Sequence, residues 1–195
     1  MITIGQGITL GSGITISTVS SNTYDLRWDP AYLGPDTAID TPFGNTVIYD
    51  TNAGYFSSLG TVPTSVAANV MWTISLGYVT NPTNGLGAGN HSANLATYLG
   101  ADANSWGFDQ FGNIYYGNSQ SNVGIPTWGT PFDVIDVCQS NSAGNVWIRV
   151  NGGAWNGNVS ADPSAGLGGI PLPPVSGPTY PGARSEEHTS ELQSH

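Results

Sequence analysis

The chain contains 195 residues, carries a formal net charge of −10, and has charged side chains at only 8% of its positions. Six Trp, nine Tyr and five Phe, among many Val and Ile, provide enough apolar surface for a core, which excludes a disordered chain. Only three residues are Lys or Arg, so the chain lacks the clustered basic residues that binding to nucleic acid or to an anionic membrane surface requires.

Cysteine and histidine usage limits the chemistry further. The only cysteine, Cys138, cannot form an internal disulfide, and no Cys or His cluster has the spacing of a metal site. The sequence has no Gly-rich phosphate loop ending in Lys, and no apolar run approaches the length of a membrane span. We therefore expect no metal, no cofactor, no nucleic-acid partner and no membrane insertion.

The chain begins with a Gly-rich repeat. Residues 2–16 alternate three-residue apolar-Thr-apolar runs with Gly-x-Gly turns at a period of six residues. Runs this short cannot bury a face alone, so such repeats associate by stacking or with other chains; a flexible Gly-rich arm is the alternative. We place the arm at residues 1–20 and a single main domain at 21–183. Within that domain, residues 24–40 contain Trp-Asp-Pro and Gly-Pro-Asp sequences that predict turns.

Short strands separated by turn residues follow. Alternating runs predict strands at 45–51, 54–60 and 70–79, and the third of these places Trp72 on the core face. Residues 105–118 predict a hairpin. Strands of this length, with turn signals about every ten residues, indicate an all-β fold, an antiparallel sandwich or barrel.

The stretch 133–155 has the strongest pattern in the chain. An apolar run at 134–138, interrupted by one Asp, is typical of a central strand, and 145–150 alternates apolar residues with Trp147 and one Arg. Trp147 lies opposite the Val and Ile residues of its strand, so it either faces solvent or lies beneath a further layer. The Asn-Gly pair at 151–152 predicts a hairpin turn that returns the chain as another strand.

The last twelve residues differ from the rest. Residues 184–195 (RSEEHTSELQSH) contain all the Glu of the chain and two of its three His. The string matches the first-frame translation of a common sequencing-library adapter over its whole length, so we interpret it as a non-native tail. We assign no functional role to its His residues, and we expect the natural sequence to have continued differently.

Several segments resemble the SPRY family. The matching segments are 89–108, with GNHSANL and YLGADANSWGF; 113–137, with NIYY and DVIDV; and 145–163, with NVWIRVNGGAW and ADP. Residues 28–30 and 70–74 resemble the opening WNP and WYWEV elements of the family. The match covers about residues 24–183 and, together with the ITIGxG opening, is most similar to the SPRY-like domains of tailed-phage virion and tail proteins.

The resemblance implies a bent, concanavalin-like β-sandwich whose members are mainly binding modules. Two departures bear on this chain. Cys138-Gln139-Ser140 replaces the Ala-Leu-Asp that the family has there, and the tail begins where the family has its closing strand. The resemblance therefore implies a sandwich truncated before that strand, with one sheet left without a neighbour.

We predict no catalytic residue. Glycoside hydrolysis needs two carboxylates on either side of the scissile bond, but the chain before the tail has no Glu, and Asp133 and Asp136 would point to opposite faces of one strand. His91 is the only His before the tail, and no nucleophile pattern accompanies it.

Loops on β-sandwiches carry recognition, and aromatic rings with short polar side chains suit a carbohydrate or protein surface. The candidate ligand-binding residues are those of this kind in or beside loops: Trp128, Trp155, Asn156, Asn90 and His91. For each Trp, burial in the core is the alternative.

The resemblance implies a non-enzymatic module of a phage virion, made in the host cytoplasm, tail-associated and recognising a host-surface glycan or protein. The N-terminal repeat would contact other virion proteins, and a homo-oligomer is left open. The alternatives are a purely structural or decoration protein of the virion and, last, a glycoside hydrolase of concanavalin-like fold.

Overall fold

The computed structural model describes residues 8–10, 14–18, 28–35, 37–40, 46–49, 55–61, 63–64, 69–75, 85–130, 132–172 and 174–186. The described residues contain fifteen strands: β1 (Ile8–Leu10), β2 (Ile14–Thr18), β3 (Trp28–Leu33), β4 (Thr37–Asp40), β5 (Thr46–Tyr49), β6 (Tyr55–Gly60), β7 (Asn69–Ser75), β8 (Gly85–Gly89), β9 (Ser105–Asp109), β10 (Asn113–Tyr116), β11 (Ser119–Asn122), β12 (Val134–Ser140), β13 (Asn145–Val150), β14 (Ile170–Pro171) and β15 (Tyr180–Glu186). A 3-10 turn, Trp155–Gly157, follows β13.

Two large antiparallel sheets form a sandwich. The six-stranded sheet has the order β1-β2-β7-β12-β13-β14, and the seven-stranded sheet has the order β11-β10-β9-β8-β15-β6-β3. Strands β4 and β5 form a separate two-stranded sheet. The all-β antiparallel sandwich is confirmed.

The core lies between the two sheets because every second residue of the central strands points inward. Trp72 on β7 is fully buried, as its alternation predicted, and its ring lies 6.4 Å from that of Trp106 on β9. One continuous cluster contains inward residues of both sheets: Val70, Trp72, Ile74, Ile135, Val137, Val146 and Ile148 from one, and Leu86, Ala88, Trp106, Phe108, Ile114 and Ala183 from the other.

On the outer face of the seven-stranded sheet, strand β8 presents only glycines. On β8, Leu86 and Ala88 point into the core, so the three glycines between and beside them face outward. The loop of residues 90–104 packs against this face so closely that a Cβ on Gly107 would lie 2.4 Å from the carbonyl oxygen of Leu99. Bare backbone is therefore what allows the loop to lie on the sheet.

A second layer covers the outer face of the six-stranded sheet. Trp147 is fully buried there in a small cluster with Cys138 and Ala161, and its indole N–H donates to the carbonyl of Leu167 at 2.7 Å. Sequence analysis left two alternatives for Trp147, exposure to solvent or burial beneath a further layer. The structure shows the second, and residues 154–168 form the layer.

Two expectations about segments were wrong. The Trp-Asp-Pro sequence lies in strand β3 rather than in a turn. The residues at 151–152 have positive φ, as an Asn-Gly hairpin turn requires, but the chain then enters the 3-10 turn and not a strand. Strand β15 pairs with both β6 and β8, and its last residues, 184–186, belong to the segment interpreted as tail.

The N-terminal repeat is joined to the sandwich in the described residues. Strand β2 pairs with β7 along Thr15 to Thr18, and β1 pairs with β2 at the edge of the six-stranded sheet. The described part of the repeat therefore extends the six-stranded sheet.

Candidate functional site

Several loops meet at one end of the sandwich. Strand β12 ends there at Ser140, opposite the start of β13, and β15 begins there at Tyr180, opposite the end of β8. Thr64, which follows β6, donates its backbone N–H to the carbonyl of Thr179 at 2.6 Å. This bond ties the loop after β6 to the segment 172–179, which connects β14 to β15.

A cavity of about 280 Å³ opens between the sheets at this end, which we call the loop end. Its floor is buried and consists of Trp106, Gln139, Ser140, Thr64 and Thr179. Leu172 and Val175 form apolar walls, and its rim consists of exposed residues: Asn141, Gly144, Pro174 and Gly177. No residue in this lining carries an ionisable side chain.

A chain of hydrogen bonds between uncharged side chains runs across the floor. The Nε2 of Gln139 donates to Thr64 Oγ1 at 3.2 Å and to Asn141 Oδ1 at 2.8 Å. Thr64 Oγ1 lies 2.6 Å from Thr179 Oγ1. Asn141 fixes the orientation of the Gln139 amide, because its own Nδ2 donates to the carbonyl of Thr64, and the opposite orientation of Gln139 would place two amide oxygens against each other.

The oxygen of that amide has no partner among the described residues. Gln139 is only 5% exposed, and its Oε1 accepts no hydrogen bond from them. A buried acceptor in this condition costs about 1–3 kcal/mol. It is one of five buried side-chain atoms without a partner in the described residues, so it does not by itself indicate a ligand.

Two of the predicted site residues lie beside this cavity. Asn90 Nδ2 donates to the carbonyl of Ser176 at 2.8 Å, so Asn90 holds the rim segment in place. His91 is exposed, and its ring is stacked between Tyr32, at 3.7 Å, and Tyr180, at 4.0 Å, with interplanar angles of 12° and 14°. Both residues thus belong to the loop end, where they order the loop 90–104 against β3 and β15.

Trp128 lies in the core. It is 6% exposed and meets Phe108 edge to face at 6.2 Å between ring centroids. The alternative of core burial is therefore the one the structure shows. Its indole N–H has no partner among the described residues.

Trp155 and Asn156 lie on the outer face of the six-stranded sheet. One face of the half-buried Trp155 ring is covered by the guanidinium of Arg149, 4.3 Å from the ring centroid. Asn156 Oδ1 accepts from the N–H of Ile148 at 2.8 Å, and its Nδ2 donates to the carbonyl of Gly168 at 2.9 Å. These bonds give Asn156 a structural role, and neither residue lines the cavity.

Arg149 also neutralises a buried carboxylate on this face. Its Nε lies 2.8 Å from Asp136 Oδ2, and the hydroxyl of Thr73 donates to Asp136 Oδ1 at 2.6 Å. Next to Asp136, burial raises the pKa of the Cys138 thiol to about 11, against a smaller lowering by Arg149. The carboxylate of Asp133 bonds to backbone groups instead, and its Oδ2 accepts from the N–H groups of Gly129 and Thr130.

Sequence analysis did not identify Gln139, Thr64 or Thr179. One signal could have found Gln139: Ile135 and Val137 point inward, so the alternation of β12 points Gln139 inward as well. An inward amide at the end of a central strand is unusual, since buried polar groups require partners. Thr64 and Thr179 are 115 residues apart in the chain, and no local pattern connects them.

Within the described residues, no group of three or more His, Cys, Asp or Glu is placed to hold a metal ion. The same residues contain no helix long and apolar enough to span a membrane.

No protein-family profile and no curated protein sequence matches the chain. Solved structures do match. The SPRY domain of human HERC1 superposes with a TM-score of 0.63 at 13% identity, covering 83% of this chain and 91% of that one. A human SPRY domain gives 0.57 at 16% identity, covering 78% and 90%, and the PSpry domain of TRIM65 gives 0.53 at 8% identity, covering 85% and 88%. The chain therefore has the fold of SPRY domains.

Proposed function

We propose that the chain is a binding module that recognises a protein through the cavity at its loop end. The observation that carries this proposal is the open cavity of about 280 Å³ at the loop end, which is lined without ionisable side chains and has a rim of exposed residues. The rim consists of loops and turns, which can change sequence without disturbing the sheets. The SPRY fold, which typically serves protein binding, supports the same class of function.

The setting that we propose is a tailed-phage virion, in which the module is tail-associated and its partner is a surface protein of the host cell. The support for this setting is the resemblance of the ITIGxG repeat and of the segments 89–108 and 145–163 to phage SPRY-like proteins. A host-surface glycan is the other ligand class that such a module could meet, and the test below separates the two.

The test is a parallel screen of the whole chain against a yeast-displayed peptide library and a glycan array. A Pro174→Trp variant, which places an indole over the cavity mouth, is screened beside Ser121→Ala, an exposed residue of β11. We expect selected peptides to bind the wild type and Ser121→Ala equally and to lose at least about tenfold in affinity for Pro174→Trp.

Peptides whose binding ignores Pro174→Trp would overturn the assignment of the cavity as the site. Hits on the glycan array alone would overturn the protein partner. A thermal melt of Pro174→Trp within a few degrees of the wild type verifies that the substitution blocks the cavity and does not unfold the chain.

A structural role in the particle is the second candidate, and one observation favours it. Strand β1 lies at the edge of the six-stranded sheet, and an edge strand can pair with a strand of another chain. Deleting residues 1–13 removes β1 and keeps β2. If the repeat docks the module, this deletion abolishes incorporation into particles and leaves peptide binding at the loop end unchanged; normal incorporation would count against the docking role.

A further inference from the structure

We propose that the cavity at the loop end receives the Phe132 side chain of a second copy of this chain, so that copies join head to tail. The inference rests on the proposed function and names a second copy as a protein that the same cavity binds. It follows from a strained, exposed aromatic residue at one end of the sandwich and an uncharged cavity at the other.

The backbone of Phe132 has a conformation that bulky residues rarely adopt. Its φ is 72°, in the left-handed region, which glycine reaches without strain. The N–H of Asp133 closes the turn by donating to the carbonyl of Thr130 at 3.1 Å. The carboxylate of Asp133 holds the turn in place, because it accepts from the N–H of Thr130 and from Asn151 Nδ2, each at 2.8 Å. The surrounding hydrogen bonds therefore keep Phe132 in its strained conformation.

Burial in its own chain does not offset this strain, because Phe132 is 77% exposed. An exposed apolar side chain alone is ordinary, but one that also strains its backbone is typical of a functional position. Phe111 is exposed at the same end, next to Gln110, whose carbonyl accepts from the N–H of Trp128 in the segment that leads to Phe132. These two phenylalanines mark what we call the Phe end of the sandwich.

The cavity suits a phenyl group in size and in chemistry. Its volume is about 280 Å³, whereas an apolar cavity of about 150 Å³ is enough to hold benzene. Leu172 and Val175 offer apolar walls, and Trp106 on the floor offers an aromatic partner. The floor hydroxyls of Thr64 and Thr179 bond to each other, so a ring above them takes no hydrogen-bond partner away.

Phe132 and the cavity lie at opposite ends of strand β12. Phe132 precedes the strand, which begins at Val134, whereas Gln139 and Ser140 at its other end line the cavity. The seven residues of β12 span about 20 Å, so the ring cannot reach the cavity of its own chain. The contact therefore joins two copies, and because each copy contributes a different surface, it repeats along a row. The last copy of a row keeps an open cavity, which is free for the partner of the proposed function.

The charge distribution permits this contact between two acidic chains. A formal net charge of −10 makes two copies repel each other, so a contact that brought carboxylates together would be opposed. The carboxylates of Asp109 and Asp133 at the Phe end accept from backbone N–H groups, and the cavity that would face them has no ionisable side chain in its lining. No like charges therefore meet inside the cavity, and added salt should strengthen the association by screening the repulsion between the chains.

The test measures the mass of the whole chain by analytical ultracentrifugation up to about 0.5 mM, because a contact built on one aromatic anchor belongs to the weak class. We expect the mean mass to rise with concentration. Phe132→Gly and Pro174→Trp should each weaken the association at least about tenfold, the effect of losing one buried aromatic side chain. Val159→Ser is the matched control, because Val159 is a similarly exposed apolar residue outside both surfaces, and it should associate as the wild type does.

Phe132→Gly also separates lost association from lost folding. Relief of the backbone strain opposes the added freedom of glycine in the unfolded chain, so this variant should melt within a few degrees of the wild type. A wild type that stays monomeric up to about 0.5 mM would overturn the inference. Association of Phe132→Gly or of Pro174→Trp that equals the wild type would overturn it as well.

Mixing the two variants is the sharpest measurement. Phe132→Gly keeps the cavity and lacks the ring, whereas Pro174→Trp keeps the ring and has a blocked cavity. Each alone should be monomeric where the wild type associates, and an equimolar mixture should form a heterodimer that grows no further, because one complementary contact remains. A mixture that is as monomeric as its components would overturn the inference.

The two proposals fail separately. Selected peptides that depend on Pro174, together with a mixture that stays monomeric, would refute the second copy and leave the protein-binding function standing. A heterodimer in the mixture without any Pro174-dependent peptide would leave the contact between copies standing and refute a host protein as the partner of the cavity.

Discussion

Replacing Asn156 with Ala should reduce stability and should not act through a lost ligand. Strand β14 pairs with β13 only at Asn145 and Val146, so in the part of the chain that the structure describes the edge of β13 beyond that point has no neighbouring strand. The amide of Asn156 continues the edge in place of a peptide group: its Oδ1 accepts from the N–H of Ile148, and its Nδ2 donates to the carbonyl of Gly168.

The magnitude follows from three terms. Ile148 is fully buried, so its orphaned N–H costs about 1–3 kcal/mol. The carbonyl of Gly168 is exposed to water, so its lost bond adds less. Asn156 has φ = 50°, a left-handed conformation that disfavours Ala by about 1 kcal/mol. The sum is about 2–4 kcal/mol, which for a chain of this size lowers Tm by roughly 5–15 °C.

Urea unfolding followed by Trp fluorescence measures the free energy, and calorimetry measures Tm. Asn156→Gly loses the same hydrogen bonds, but glycine adopts the left-handed backbone conformation without strain. We therefore expect it to be about 1 kcal/mol more stable than Asn156→Ala. Asn158→Ala is the control in the same segment, because its side chain caps only the exposed N–H of Ser160, and we expect it to change stability by less than about 1 kcal/mol. A stability of Asn156→Ala within about 0.5 kcal/mol of the wild type would refute the structural role and restore Asn156 as a binding candidate.

Three further predictions concern the two covered sheet faces. Gly107→Ala places a Cβ 2.4 Å from the carbonyl oxygen of Leu99, so we expect a destabilisation of about 1–3 kcal/mol and faster amide hydrogen exchange in the loop 90–104. Unchanged exchange in that loop would contradict the close packing. Arg149→Met keeps an apolar stem over Trp155 but leaves Asp136 without its cation, so urea unfolding should show a loss of about 1.5–3 kcal/mol, and no loss would mean that the ion pair is not formed. Burial raises the pKa of the Cys138 thiol to about 11 from 9.0, so the unfolded chain loses the thiol proton at lower pH than the folded chain does. The free energy of unfolding should therefore fall by up to about 2–3 kcal/mol as pH rises from about 9 to about 11. If Cys138→Ala shows the same dependence of stability on pH as the wild type, the thiol is not its source.

The central hairpins could be predicted because local patterns determine them. In β7, the alternation around Trp72 is a property of neighbouring residues, and the period of two assigns the core face without knowledge of the rest of the chain. The fold class followed from the same patterns together with the resemblance of the segments 89–108 and 145–163. Strand β3 was missed because Pro30 argues against a strand, yet a strand at the edge of a sheet, as β3 is, tolerates proline.

What covers an outer face could not be predicted, because alternation divides a strand into two faces without saying what lies beyond each. Trp147 shows the limit: its position opposite the Val and Ile residues was correct, but the covering segment 154–168 has no periodicity of its own. Trp128 and Asn156 show the related limit that a loop position indicates exposure only when nothing folds over it. Both were selected for side-chain type, whereas the structure shows that Trp128 is buried and that Asn156 bonds to the backbone of β13.

The loop end shows that tertiary pairing, rather than motif, makes the candidate site. Gln139 could be placed on an inward face from the alternation of β12, but an inward amide alone predicts a partner and not a cavity. Its partner Thr64 lies after β6 and is 2.6 Å from Thr179, which precedes the neighbouring strand β15, so the bond from Gln139 to Thr64 joins the six-stranded sheet to the seven-stranded sheet. If this network holds the loop end together, Thr64→Val should lower the free energy of unfolding by about 1–3 kcal/mol, because it keeps the shape of the side chain but removes the hydroxyl that bonds to both Gln139 and Thr179. Equal stability of Thr64→Val and the wild type in urea unfolding would refute this account of the loop end.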